Sequence, residues 1–216
     1  MRIFNLGYSE AEKGESGEAV GTKYDTSYGC IKCGTNTKYI GNTAVTGFGK
    51  IKKNFCVTLD SDKIISEQVY HSLTEDFDVA TNGFVQVMNK KGILLPFYHL
   101  RPEGTLPKME EGSTLAPQQK QCDHCQRNWF AYSSRWNSSK KMFEPPIRYV
   151  YKYDQTLWEA TDMLKSWEHF GGSNLVEHGD YVIRFARPLI FVSEKFKNAF
   201  EALGIKKATF IEAELL

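Results

Sequence analysis

No apolar run in this sequence approaches the roughly 18 residues that a membrane-spanning helix needs. The longest, such as residues 93–95 and 189–192, are strand-sized. The opening stretch MRIFNLGYSEAEKGESG has no apolar core and no small-residue cleavage site, so no secretory leader is expected. Charge of one sign is also missing: 27 Lys and Arg face 26 Asp and Glu, a net of +1. A protein that coats nucleic acid usually carries a clear basic surplus, and this balance argues against that role. Local basic clusters remain at Lys50, Lys52 and Lys53 and at Lys140 and Lys141, and solvated surface lysines are the simpler reading of both. The familiar catalytic signatures are absent too. There is no GxxxxGK(S/T) loop, no GxGxxG after a strand, no HExxH and no GxSxG, which argues against an enzyme. The expectation is a cytoplasmic protein with no membrane partner.

What is present is cysteine. Cys30 and Cys33 form one CxxC pair, Cys122 and Cys125 a second, and Cys56 stands alone. Disulfides rarely persist in a reducing cytosol, so paired CxxC spacing there points to metal or redox chemistry. Zinc takes four tetrahedral ligands, and two CxxC turns supply four thiolates. A gap of two residues lets one tight turn present both sulfurs to the same ion, and Gly34 after Cys33 suits such a turn. The shared site expected from Cys30, Cys33, Cys122 and Cys125 is structural, because four thiolates leave no open position for water or substrate. About 90 residues separate the pairs, against roughly 15–20 in common zinc ribbons, so the fold itself must bring them together. A redox pair and reduced thiols without metal are the competing readings. The redox reading lacks the strand-to-helix junction that lowers a thiol pKa, since Cys30 and Cys33 lie among turn residues. His124, inside the second pair, is an alternative ligand, read here as a neighbour of the site. Cys56 lies in a strand candidate and reads as a small buried hydrophobe.

The 216 residues fit one domain, 41% of them hydrophobic, which is enough to bury a core. The fold class expected is α+β, a mixed sheet with a few short helices and a zinc knuckle pair joining distant segments. A zinc-bearing subdomain is expected around residues 20–42 and 100–140. Strands are expected at residues 2–6, 52–59, 84–88, 93–98 and 147–153, with the Asn89-Lys90-Lys91-Gly92 link as a hairpin turn. Ile65, Val69 and Leu73 at four-residue spacing predict a helix over 60–73, and Leu157, Ala160, Leu164 and Trp167 predict another. Residues 101–120, with Pro102, Gly104, Pro107, Gly112 and Pro117, read as a long loop held by the metal. The C-terminal unit, 187–214, reads as strand, helix and parallel strand, with Ser193 capping the helix and Gly204 ending it. His71, His99, His169 and His178 show no ligand spacing with one another. Asp154, Asp162, Glu75 and Asp76 read as caps or solvated charges.

The motifs Cys30-Ile31-Lys32-Cys33-Gly34 and Cys122-Asp123-His124-Cys125, widely separated, resemble the bacterial double-CXXCG family. The ending resembles it as well, where Arg187-Pro188-Leu189-Ile190-Phe191-Val192-Ser193-Glu194-Lys195 leads to Ala208-Thr209-Phe210. Members of that family are toxin immunity proteins. The resemblance implies a protein that binds and neutralises a cognate bacterial toxin, with no catalytic residue. Gln126 departs from the pattern by standing where the second motif has glycine. Trp129, Tyr132, Arg135 and Trp136, just beyond the second pair, are candidate partner-binding residues, since aromatics and arginine dominate interface hot spots. Packing around the metal and core is the plainer reading of the same four. A zinc-ribbon-like nucleic-acid-binding or regulatory protein is the alternative function, motivated by Lys52, Lys53 and those aromatics.

Overall fold

The computed structural model describes residues 2–10, 13–48, 53–110, 118–130, 136–137, 142–143, 149–152, 155–158, 161–170, 175–178, 181–184 and 187–216. β1 (Ile3–Tyr8) opens the chain, and β2 (Lys23–Asp25) and β3 (Lys38–Ile40) form a small hairpin. β4 (Thr43–Val45), β5 (Phe55–Val57) and β6 (Lys63–Ser66) follow, then α1 (Glu67–His71), continued by a π-helical turn at Ser72–Asp76. β7 (Phe84–Asn89) pairs with β8 (Leu94–Leu100), and β9 (Gln118–Gln121) with β10 (Asn128–Phe130). Short β11 (Trp136–Asn137) and β12 (Met142–Phe143) pair with each other. β13 (Val150–Tyr151), β14 (Met163–Phe170), and the paired β15 (Leu175–His178) and β16 (Tyr181–Arg184) lead to the C-terminal unit. That unit is β17 (Arg187–Ser193), α2 (Glu194–Ala202) and β18 (Ala208–Leu215).

Two sheets organise these strands. The larger has the order β13-β18-β1-β17-β14-β10-β9, the smaller β4-β7-β8-β6-β5. Both are mixed, with parallel pairs at β13–β18 and β10–β14 in the first and β4–β7 in the second. The α+β class with short helices is therefore the observed one. Among the described residues no helix is long and apolar enough to cross a membrane.

Alternation along the strands builds the core in three layers. In β1, Phe4 and Leu6 join a large cluster while Ile3 faces a second. β17 repeats the pattern, with Ile190 and Val192 in the first cluster and Phe191 in the second. In β5, Phe55 and Val57 join the first cluster and Cys56 a third. The first cluster thus draws on both sheets and on Phe196, Ala199 and Phe200 of α2, so the sheets share one core. Cys56 is a buried small hydrophobe, as its strand position implied.

The C-terminal unit follows its sequence signals. The Ser193 hydroxyl accepts from the Phe196 N–H and caps α2, and Gly204 takes φ +67 beyond its end. β17 and β18 each pair antiparallel with β1 and so run parallel to one another, with β1 between them. The β7–β8 hairpin is also present, closed at Asn89 and Gly92.

Two predicted helices are wrong in part or whole. Residues 63–66 are strand β6, and the helix begins only at Glu67, capped by Ser66. Ile65, Val69 and Leu73 do share one cluster, but β6 buries both Ile64 and Ile65, on opposite faces, which a helical stripe would not do. The stripe from Leu157 to Trp167 dissolves as well. Leu157 lies in a 3₁₀ turn at Gln155–Trp158, Ala160 lies outside the described residues, and Leu164 and Trp167 belong to strand β14. β14 is covered on both faces, so the alternation that marks a half-exposed strand is missing and a helical period appears by coincidence. Within the strand expected at 52–59 the described strand is Phe55–Val57, and within that expected at 147–153 it is Val150–Tyr151; residues 52, 147, 148 and 153 lie outside the described residues.

The long loop is held by β14, over its described part, rather than by metal. The Leu106 N–H bonds the Lys165 carbonyl at 2.8 Å, the Lys165 N–H bonds the Gly104 carbonyl at 3.0 Å, and the Met109 N–H bonds Glu168 Oε1 at 2.7 Å. Gly104 permits this approach, because a Cβ there would meet Leu164 Cδ2 at 2.4 Å.

Candidate metal centre

Each CxxC pair is the tip of a hairpin. Cys30 and Cys33 lie between β2 and β3, and Cys122 and Cys125 lie between β9 and β10 at the edge of the larger sheet. The two tips meet. Cys30 and Cys122 Sγ are 3.8 Å apart, Cys33 and Cys125 Sγ are 3.6 Å apart, and all four sulfurs lie within 4.8 Å of one another. All are free thiols. Four thiolates at about 2.3 Å from a tetrahedral ion would sit about 3.8 Å from each other, so the observed spacing is that of a tetrathiolate metal site. The expected ligand set is brought together across 92 positions of sequence. His124 is exposed and outside the cluster, so it replaces no cysteine.

The two turns are built alike. Gly34 N–H bonds the Cys30 carbonyl at 2.7 Å and Gln126 N–H bonds the Cys122 carbonyl at 2.9 Å. Cys30 N–H then bonds the Thr35 carbonyl, and Cys122 N–H the Arg127 carbonyl. Both turns need a left-handed residue, and Gly34 has φ 64 while Gln126 has φ 58. Gln126 therefore adopts the glycine conformation, tied by its own Nε2 to the Asp123 carbonyl at 2.8 Å. A left-handed non-glycine residue costs roughly 1–2 kcal/mol, of which glycine's greater unfolded-state freedom takes back about 0.5–1. Gln126→Gly is expected to raise the Tm by about 2 °C with metal content unchanged, measured by calorimetry and elemental analysis. A lower Tm would mean that the Gln126 side-chain bond outweighs the strain.

Thr35 and Arg127 complete the surroundings, and the sequence reading missed both. Thr35 Oγ1 lies 3.1 Å from Cys33 Sγ and 3.6 Å from Cys125 Sγ, where its hydroxyl can donate to a thiolate. Burial pushes the Cys33 thiol up to about 12. Partial burial would raise the Cys125 thiol as well, but the Arg127 N–H and the Thr35 hydroxyl bring it down to about 7. Arg127 stacks 5.0 Å from the Trp167 ring, donates to the Trp167 carbonyl at 2.9 Å, and feels the charge of Cys125 and Cys33. A divalent ion with four thiolates would carry two negative charges, and Arg127 is the cation placed to balance part of them. The only warning in sequence was position: each residue follows its knuckle by two.

The proposed partner residues fare differently. Trp129 is 4% exposed in β10, so it packs the interior and cannot anchor a partner. Tyr132 and Arg135 lie outside the described residues, and of Trp136 only its place in β11 is described. Exposed apolar surface lies instead on the first knuckle, at Tyr28 (55%) and Ile31 (72%), on either side of Cys30. Lys53 pairs with Glu10; Lys50, Lys52, Lys140 and Lys141 lie outside the described residues.

The chain matches no family model and no curated protein sequence.

Proposed function

We propose that this chain is an immunity protein whose two hairpin tips are joined by a structural zinc ion and which neutralises a cognate toxin by binding it. The observation that carries the reading is the closed tetrathiolate cluster. Four thiolates fill every tetrahedral position, so the metal is suited to holding a surface rather than to catalysis. Zinc is the ion such a donor set selects among metals without redox demands. The staple fixes Tyr28 and Ile31 on a rigid turn, and a preorganised apolar surface loses less entropy on binding. The double-CXXCG resemblance supplies the identity of the partner class, a bacterial toxin. A nucleic-acid role draws less support, because Lys53 already has a carboxylate partner.

Co-expression with a candidate toxin from a neighbouring gene tests the proposal. A stoichiometric complex and protected cells are expected. Ile31→Glu, which places a charge on an exposed tip, is expected to weaken the complex about tenfold or more while leaving metal content and Tm unchanged. Unprotected cells containing well-folded, abundant protein would sink the immunity reading.

A further inference from the structure

A cavity of about 450 Å³ adjoins the cysteine cluster, within the range of small-molecule sites. It lies between the β2–β3 hairpin, the start of β6, the end of β8, β14 and the start of β17, and so is walled by both sheets. Its lining contains six lysine and arginine side chains, two histidines and two acidic side chains. Two of the basic groups are already engaged. Arg127 serves the thiolates, and Arg187 sits in the field of Asp62, whose carboxylate also takes a 2.9 Å bond from Tyr39 and lies 3.4 Å from His99 Nε2. Burial alone would raise the Asp62 carboxyl; His99 and Arg187 more than offset it and hold it below the usual range.

Lys63, Arg101 and Lys165 are different. Among the described residues none of the three has a carboxylate within 4.0 Å. Arg101 lies over the Tyr39 ring at 5.0 Å and donates to the Gly41 carbonyl. Burial lowers the pKa of all three, and Lys165 is lowered further by Arg127, Lys38 and Arg101. Of the two lining acids, Asp62 already takes Tyr39 and His99, and Glu103 is exposed and acts on Arg101 and Lys165 only through space, with no ion pair to either. Positive charges gathered in one low-dielectric recess focus an attractive field on anions. Arginine forks and lysine ammonium groups are the side chains that hold phosphate oxygens.

We propose that this cavity binds a small multiply charged oxyanion, a phosphate ester of nucleotide size or less, through Lys63, Arg101 and Lys165. A phosphate group would meet the three cations, and Tyr24 and Tyr39, whose rings are 4.9 Å apart in the same wall, offer an aromatic surface to the rest of the ligand.

Isothermal titration of the zinc-loaded full-length protein at low salt tests this, with inorganic pyrophosphate as the charge-only probe and AMP as the ester. Saturable binding at one site per chain is expected for at least one of them, weakened about tenfold or more in Lys63→Met and in Lys165→Met. Lys63→Met separates a ligand role from a structural one. Burial holds the Lys63 ammonium down at about 8 against its usual 10.5. Between those pH values the unfolded chain binds more protons than the folded one, so the wild-type protein gains stability as pH rises. Removing the charge should therefore raise the Tm of the ligand-free protein below pH 8, by an amount that vanishes above about 10.5, even as affinity falls. The proposal is overturned by no saturable binding of either probe at millimolar concentration, or by binding unchanged in the Lys63→Met/Lys165→Met double variant. Binding of a poly-glutamate peptide alone would overturn it in favour of an acidic partner segment.

Discussion

Cys122→Ser is expected to release the metal and lower the Tm by about 10 °C. Cys122 is 5% exposed, and its sulfur faces Cys30 across the junction of the two hairpins. A zinc ion held a thousandfold above its dissociation constant stabilises the folded state by about 4 kcal/mol. In a chain of this size each kcal/mol moves the Tm by about 2–4 °C. The ligands must shed their protons to bind, so the same loss should follow from chelation or from acidification. Cys56→Ser is the control. It is as buried, at 1%, but lies in β5 away from the cluster, so its protein should keep one metal per chain. Elemental analysis with calorimetry reads both variants. A Cys122→Ser protein with wild-type metal content and Tm would show that the four thiols hold no shared ion. The Ile31 surface should suffer with the staple, because β2 and β3 pair over only three residues and the turn between them depends on the second knuckle for its anchor.

The two cysteine pairs were legible in sequence because the information is local: a gap of two fixes two sulfurs on one turn wherever that turn ends up. Their meeting was not legible, since it depends on β9 and β10 forming the edge of a sheet whose other strands come largely from the second half of the chain. Ser193 and Gly204 were readable for the same local reason, a cap and a left-handed stop around one helix. β14 was not, because a strand covered on both faces loses its alternation, and MLKSWEHF mixes apolar and polar residues with no period of two. The cation cavity had no sequence signal at all. Lys63, Arg101 and Lys165 stand on three different strands or strand ends, and nothing local distinguishes them from solvated surface charge. Trp129 follows the plainer of its two readings, packing in the interior, and not that of a partner anchor.

Asp162 is a polar staple beside the proposed metal one, and its loss is expected to be the other large effect. The residue is 6% exposed. Its Oδ1 accepts from the Ser193 hydroxyl at 2.6 Å, its Oδ2 accepts from the Ala80 N–H at 2.9 Å, and Lys195 Nζ lies 2.9 Å from Oδ2. Ser193 in turn accepts from the Phe196 N–H, so one carboxylate orients the cap of α2 and also docks the segment between α1 and β7 onto the larger sheet. Asp162→Ala orphans a part-buried N–H and a buried hydroxyl, at about 1–3 kcal/mol for a buried group, and should lower the Tm by roughly 6–12 °C. Lys195 is half-exposed and adds little. Asp162→Asn should cost about half as much, because an amide offers one acceptor oxygen where two donors converge. Ser193→Ala removes the cap and about 1 kcal/mol. Since the Ser193–Asp162 bond is counted in both single variants, Asp162→Ala combined with Ser193→Ala should lose less than the two losses added, by about 1 kcal/mol. Strict additivity would mean that the cap stands without its carboxylate. Metal content should stay at the wild-type level in all of these proteins, because none of the Asp162 contacts reaches either knuckle, so the two staples can be removed one at a time.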